Sequence, residues 1–287
     1  MKHTSQTTFL LQVRETLDTT IPLLTCHLHP EAHGSVVATY EEVTTLMHSL
    51  ITDVDGEDLS RVDTAKHLLR ITETADGRDT ITTAVVSAGA VPQLVNYLRH
   101  PGDLRKHIVG ILACILQARQ TWDVALETGA IAFLVASLSD PNLDTQVAAT
   151  HALKGITGAR AGKEEAVKKG AVPVLVMALS HPSYKMKRWA VQAVRNITSI
   201  DCGSKAAYAA NAIYPLLVLL DATPPFDVEV MLNAAIALTC IAFLSKDVRT
   251  EIKKQDAFQK VRAIRGAGEI QTALDNLVDM VKRGRPV

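Results

Sequence analysis

The segment GITGARAGKEE, from Gly155 to Glu165, sets a lysine behind spaced glycines much as a phosphate-binding loop does. In such a loop, bare backbone amides cradle phosphate oxygens, the lysine meets the terminal phosphates, and a neighbouring Ser or Thr holds magnesium. Here the first glycine is displaced, Glu164 stands where that hydroxyl belongs, and a helical pattern, not a strand, precedes the loop. The segment around Lys163 therefore reads as a turn between helices. The run CHLHPEAH supplies Cys26, His27, His29 and His33, all zinc-ligand types. Its spacing matches none of the common zinc patterns and it falls at a helix-to-turn position, so an exposed histidine cluster is expected. His-Glu dipeptides repeated along a chain would hold iron, but none of the 10 histidines is followed by glutamate. Cys26, Cys114, Cys202 and Cys240 lie far apart with no C-x-x-C pair, which points to reduced thiols. No Ser/His/Asp or Cys/His arrangement emerges from spacing. The expectation is a protein without catalytic residues, metal or cofactor.

Composition says what must position such side chains. Lysine and arginine number 30 and so do the acids, so no global field draws the chain to nucleic acid or an anionic membrane. Aromatics are only 4% of 287 residues, while alanine and aliphatics abound, which suits helices packed closely on helices. The most apolar run, Val228 to Leu244, contains Glu229 and Asn233 and is shorter than the ~20 residues of a membrane span. The first twenty residues lack an uninterrupted apolar core before a cleavage site, and Glu15 and Asp18 oppose a transit peptide. A cytoplasmic protein is expected.

A phrase then repeats: GAVPQLVNYLRHP from Gly89, GAIAFLVASLSDP from Gly129, GAVPVLVMALSHP from Gly170 and NAIYPLLVLLDATP from Asn211, in steps of 40, 41 and 41 residues. A second marker, an isoleucine with Leu or Val three residues earlier, recurs at Ile71, Ile115, Ile156, Ile197 and Ile241 in steps of 44, 41, 41 and 44. A fixed period of this length marks a solenoid. The Gly or Asn suits the left-handed stop of a short first helix. Pro92 and Pro173 fall in the first turn of the second helix, where a missing amide hydrogen costs nothing. That second helix is apolar almost all round and stops before Pro101, Pro141, Pro182 or Pro224. The third helix is longer and one-sided, with Ala190, Val191, Val194 and Ile197 on its buried stripe.

Short, medium and long helices in about 41 residues, with GA-[IV]-P-x-LV-x-x-L opening the second, resemble the armadillo repeat. The resemblance implies an all-α fold, a right-handed α-solenoid of about 5 to 6 three-helix units. Residues 79–244 carry regular repeats, 1–78 are read as divergent N-terminal repeats, and 245–287 as a degenerate C-terminal repeat and cap. TIPLLTCHLHP at 20–30 is read as a second helix followed by a third from about Glu31 to Ile51, which leaves 53–78 out of phase. EIQTALDNLVDMVKR places Ile270, Ala273, Leu274, Leu277, Val278 and Val281 on one apolar stripe.

The resemblance also implies that third helices line a groove able to hold a peptide or a partner helix. Importin-like members use an Asn just before the marker Ile and a Trp four residues before that Asn. Here the first position reads Arg70, Cys114, Gly155, Asn196 and Cys240, and the second Lys66, Gly110, His151, Gln192 and Ile236, so only Asn196 matches. The surface that remains has bare spots at Gly110 and Gly155 and positive side chains at Lys66, Arg70, Lys185, Lys187, Arg188 and Arg195. Trp189 is either an aromatic anchor or a core side chain. His107, His151, Gln192, Asn196 and Asn233 complete the expected partner-binding set. The resemblance implies a non-catalytic scaffold, part of a larger complex, with other proteins as partners and no nucleic acid or membrane. A cytoskeletal or ciliary assembly is the finer expectation, and a soluble cargo carrier or regulatory adaptor of nuclear-transport type the alternative.

Overall fold

Each unit turns for a local reason. Gly89, Gly129 and Gly170 have φ of 60, 75 and 73°, and Asn211 takes the same left-handed conformation at 59°. Residues with a bulky Cβ avoid this region, while glycine enters freely and asparagine at modest cost. These four positions therefore break one helix and turn the chain into the next. The computed structural model describes residues 39–52, 58–99, 102–220, 228–261 and 268–284, all within the compact unit Val37–Val287.

The helices are α1 (Tyr40–Ile51), α2 (Asp58–Ile71), α3 (Ala75–Ser87), α4 (Val91–Tyr97), α5 (Asp103–Ile115), α6 (Trp122–Glu127), α7 (Ala130–Ser137) and α8 (Leu143–Ile156). They continue as α9 (Arg160–Lys168), α10 (Ala171–Ala178), α11 (Tyr184–Thr198), α12 (Asp201–Ala209), α13 (Ile213–Leu220), α14 (Val228–Ala242), α15 (Lys246–Lys254), α16 (Asp256–Val261) and α17 (Gly268–Arg283). No strand occurs among the described residues. The chain is an all-α solenoid. No helix among the described residues is long and apolar enough to cross a membrane.

The long helices α2, α5, α8, α11, α14 and α17 each pack on the next, so one layer of third helices runs through the array. Small residues allow the close approach: Ala152, Ala193 and Ala237, four positions before their marker isoleucines, are fully buried. The markers Ile71, Ile115, Ile156, Ile197 and Ile241 are at most 1% exposed, and burying each contributes about 1.5–3 kcal/mol. Side chains cap the helices where the chain enters them. Thr74 accepts from the Gly77 amide at 3.0 Å, and Asn142 accepts from the Thr145 amide at 3.1 Å.

Two expectations need correction. The part of 31–51 that is described, α1, packs on both α2 and α3, as α10 packs on α11 and α12. It thus occupies a second-helix position, with α2 as the third helix of its unit, and Tyr97 ties it to α4 by donating to the Leu50 carbonyl at 2.7 Å. With 58–71 counted as a third helix, Ile71 stands 44 residues before Ile115, in step with the other markers, although α1 starts 51 residues before α4. At the other end, the buried stripe of α17 holds Met280 with Ile270, Ala273, Leu274, Leu277 and Val281, while Val278 is only half-buried. TIPLLTCHLHP and CHLHPEAH lie outside the described residues.

Candidate functional site

From Ile115 onward, the position just before each marker isoleucine faces the preceding unit and touches the residue that follows that unit's own marker. Cys114 hydrogen-bonds Thr72, and Cys240 hydrogen-bonds Thr198. Asn196 Nδ2 donates to the Lys154 carbonyl at 3.0 Å and to Thr157 Oγ1 at 3.4 Å, while its Oδ1 accepts from Arg195 at 3.0 Å. Asn196 is thus a fastener between α8 and α11, with donor and acceptor both engaged, and is no open rung. Gly155 is buried, and a Cβ there would stand 2.2 Å from the Leu116 carbonyl oxygen. A Cβ on Gly110 would meet Leu69 Cδ1 at 2.6 Å. The expected bare spots are therefore corrected: what crowds them is the chain's own, the Leu116 backbone at Gly155 and the Leu69 side chain at Gly110.

Joined to this seam through Lys154 is a polar cluster spanning α8, α11 and α14. Trp189, half-buried, stacks on His151 with ring centroids 4.2 Å apart and planes at 21°. Arg188 and Lys154 carry their charges 5.0 and 5.8 Å from the indole centroid, within cation–π range. Arg188 also pairs with Glu229, its Nε 3.0 Å from Oε2, and Gln192 Nε2 donates to Glu229 Oε1 at 2.8 Å. Asn233 donates to the Glu229 carbonyl at 2.7 Å. Lys154 reaches Gln117 Oε1 at 3.0 Å, and Gln117 Nε2 returns to the His151 carbonyl at 3.0 Å.

Burial pushes the His151 imidazole down to about 3, helped by Lys154, Arg78 and Arg188, so it is neutral at physiological pH and can stack without a charge. Burial also lowers Lys154, with Arg188 and Arg195 adding to the effect and Glu229 opposing it. Trp189 is neither core nor a free anchor but the lid of this cluster.

The remaining expected residues lie apart from it. Lys66, Arg70 and Lys185 are exposed. Lys66 and Arg70, with Asp63 and His67, line an open depression of about 280 Å³ on α2. His107 is half-buried on α5, lowered by burial and by Lys106, with a buried Nδ1 that finds no hydrogen-bond partner. Spacing did not point to Glu229, Lys154 or Gln117 as members of the network. One signal was available: Arg188 and Glu229 are opposite charges 41 positions apart, which is one repeat.

The near-motifs resolve as packing. Lys163 Nζ contacts Ser199 Oγ at 2.8 Å from α9, which follows α8, and a Cβ on Gly162 would stand 2.1 Å from the Ile156 carbonyl oxygen. Burial pushes the Cys240 thiol up to about 11 and raises Cys114 as well, which makes both poor nucleophiles. Among the described residues no group of three or more His, Cys, Asp or Glu side chains is placed to hold a metal ion.

No family model matches the sequence, and no curated protein is similar to it at the level of sequence. Solved structures are similar in fold. A designed armadillo repeat protein superposes with a TM-score of 0.70 at 21% identity over 84% of this chain and 100% of its own. A second, in complex with the peptide (KR)4, gives 0.67 at 22% identity, over 84% and 99%. A third, described as computationally designed for modular peptide recognition, gives 0.67 at 21% identity, over 84% and 99%. The chain has the armadillo-repeat fold. In this armadillo array Cys114, Gly155, Asn196 and Cys240 pack inside the seam, while Lys66 and Arg70 are exposed on α2 and Lys185 at the start of α11.

Proposed function

We propose that the chain is a non-catalytic protein-interaction scaffold that holds a segment of another protein along its third helices. The observation that carries this reading is the third-helix layer itself, six consecutive helices whose outward side chains include Lys66, Arg70 and Lys185, exposed and without hydrogen bond or ion pair among the described residues. A stacked array of this kind presents a long surface on rigid elements, the arrangement used for extended partners. The fold shared with designed peptide binders supports the same use of the surface. The division into 1–78, 79–244 and 245–287, membership of a larger complex, and a place in a cytoskeletal or ciliary assembly extend this reading on the strength of the family resemblance. A carrier of nuclear-transport type draws no support, because Asn196 is engaged inside the array and no Trp stands at the second rung position.

The test is capture of the partner protein, once purified with the chain, by a Lys66→Ala, Arg70→Ala, Lys185→Ala triple variant. All three side chains are exposed, so the melting temperature should stay within about 2 °C of the parent. Capture should fall several-fold. Unchanged capture by a folded triple variant refutes the third-helix reading.

A further inference from the structure

The charges of this chain are sorted by layer. Leaving aside the terminal α17, which carries two cations and three acids, the third helices α2, α5, α8, α11 and α14 hold ten lysines and arginines against five acids, Asp58, Asp63, Asp103, Asp144 and Glu229, in a chain whose formal net charge is zero. Most of those acids are already compensated. Asp103 and Asp144 sit in the first turns of α5 and α8, where helix N-terminal amides stabilise a carboxylate. Glu229 is held by Arg188 and Gln192. The cations are not matched in the same way: Lys66, Arg70, Lys106 and Lys185 make no hydrogen bond or ion pair among the described residues. Burial is the main cause that lowers Lys154 and His151, with Arg188 adding to it in both and Glu229 opposing it at Lys154.

Resting on the reading of the third-helix face as the binding surface, we propose that its partner is an acidic, extended segment of another protein whose carboxylates meet Lys66, Arg70, Lys106 and Lys185. Neighbouring helices pack about 9 Å apart, so the three steps from α2 to α11 span about 27 Å, which about eight extended residues at about 3.3 Å each would cover. A nucleic acid fits this face less well. Base stacking would need an open aromatic ring, and Trp189 already stacks on His151. A basic peptide such as the (KR)4 held by a designed relative would meet like charge here.

The test uses the full chain and three fluorescein-labelled peptides of about ten residues, alternating Glu-Ser, Gln-Ser and Lys-Ser, with binding read by fluorescence anisotropy. The Glu-Ser peptide should bind about tenfold more tightly than Gln-Ser, lose that margin as salt rises, and lose it in a Lys66→Glu, Lys185→Glu variant that melts like the parent. If Gln-Ser binds as tightly as Glu-Ser, the charge proposal is overturned while the binding face survives. If no peptide binds, both readings fall. If oligothymidylate of similar length binds more tightly than Glu-Ser, the face belongs to nucleic acid and the proposal is overturned.

Discussion

Replacing Gly155 with alanine tests whether the array's small residues serve its own packing or leave room for a partner. In a helix interior the change gains about 1 kcal/mol of intrinsic propensity. Against that, the new methyl would lie 2.2 Å from the Leu116 carbonyl oxygen and 2.7 Å from its carbon, both backbone atoms at the end of α5. Relief requires α8 to shift against the preceding unit, which places the overpacking cost at the upper end of its usual range, about 3 kcal/mol. The net expectation is a loss of about 2 kcal/mol. Gly110→Ala is the control. Its methyl would meet Leu69 Cδ1 at 2.6 Å, the end of a half-buried, flexible side chain that can rotate away at about 1 kcal/mol, so the two terms cancel. Urea unfolding followed by far-ultraviolet circular dichroism reads both variants against the parent. The reasoning fails if Gly155→Ala is as stable as Gly110→Ala.

Three further outcomes follow from the same contacts. His151 is neutral in the fold, with its pKa lowered from 6.5 to about 3, so its contribution is full above pH 6.5 and declines as pH falls from there toward 3. Between neutral pH and about pH 4.5 the parent should lose about 2 kcal/mol more than His151→Gln, measured by urea unfolding at each pH; parallel losses would show that His151 titrates normally. Asn196→Ala removes the bonds to Lys154 and Thr157 and should cost about 1–2 kcal/mol in the same assay, whereas a neutral effect would mean the fastener contributes nothing. Truncation before Gly268 strips α17 from α14 and exposes its buried face, so light scattering should report association; a monodisperse truncated monomer would contradict that packing.

Much of the architecture was legible because the repeat is written twice, in the Gly/Asn stops and in the marker isoleucines. Gly129, Gly170 and Asn211 take the left-handed turns their types suggest. The start of the described chain was misread because α1 carries no GA-[IV]-P phrase, so only its contacts with α2 and α3 reveal it as a second helix. The site was less legible for a physical reason. A residue in a solenoid meets its partner one period away, and the identity of a side chain does not say which neighbour claims it. Gly155 and Gly110 looked like openings because glycine marks any close approach, internal or external. Asn196 looked like a rung because its type matched, yet the Lys154 carbonyl claims its donor.

Lysine-directed cross-linking of the chain to its purified partner, with the linked peptides identified by mass spectrometry, tests the central claim most directly. Links should concentrate on the third-helix lysines Lys66, Lys106 and Lys185 and spare Lys168, Lys205 and Lys253 on the first helices α9, α12 and α15. Links confined to those first-helix lysines would place the partner on the other side of the layers and contradict the account.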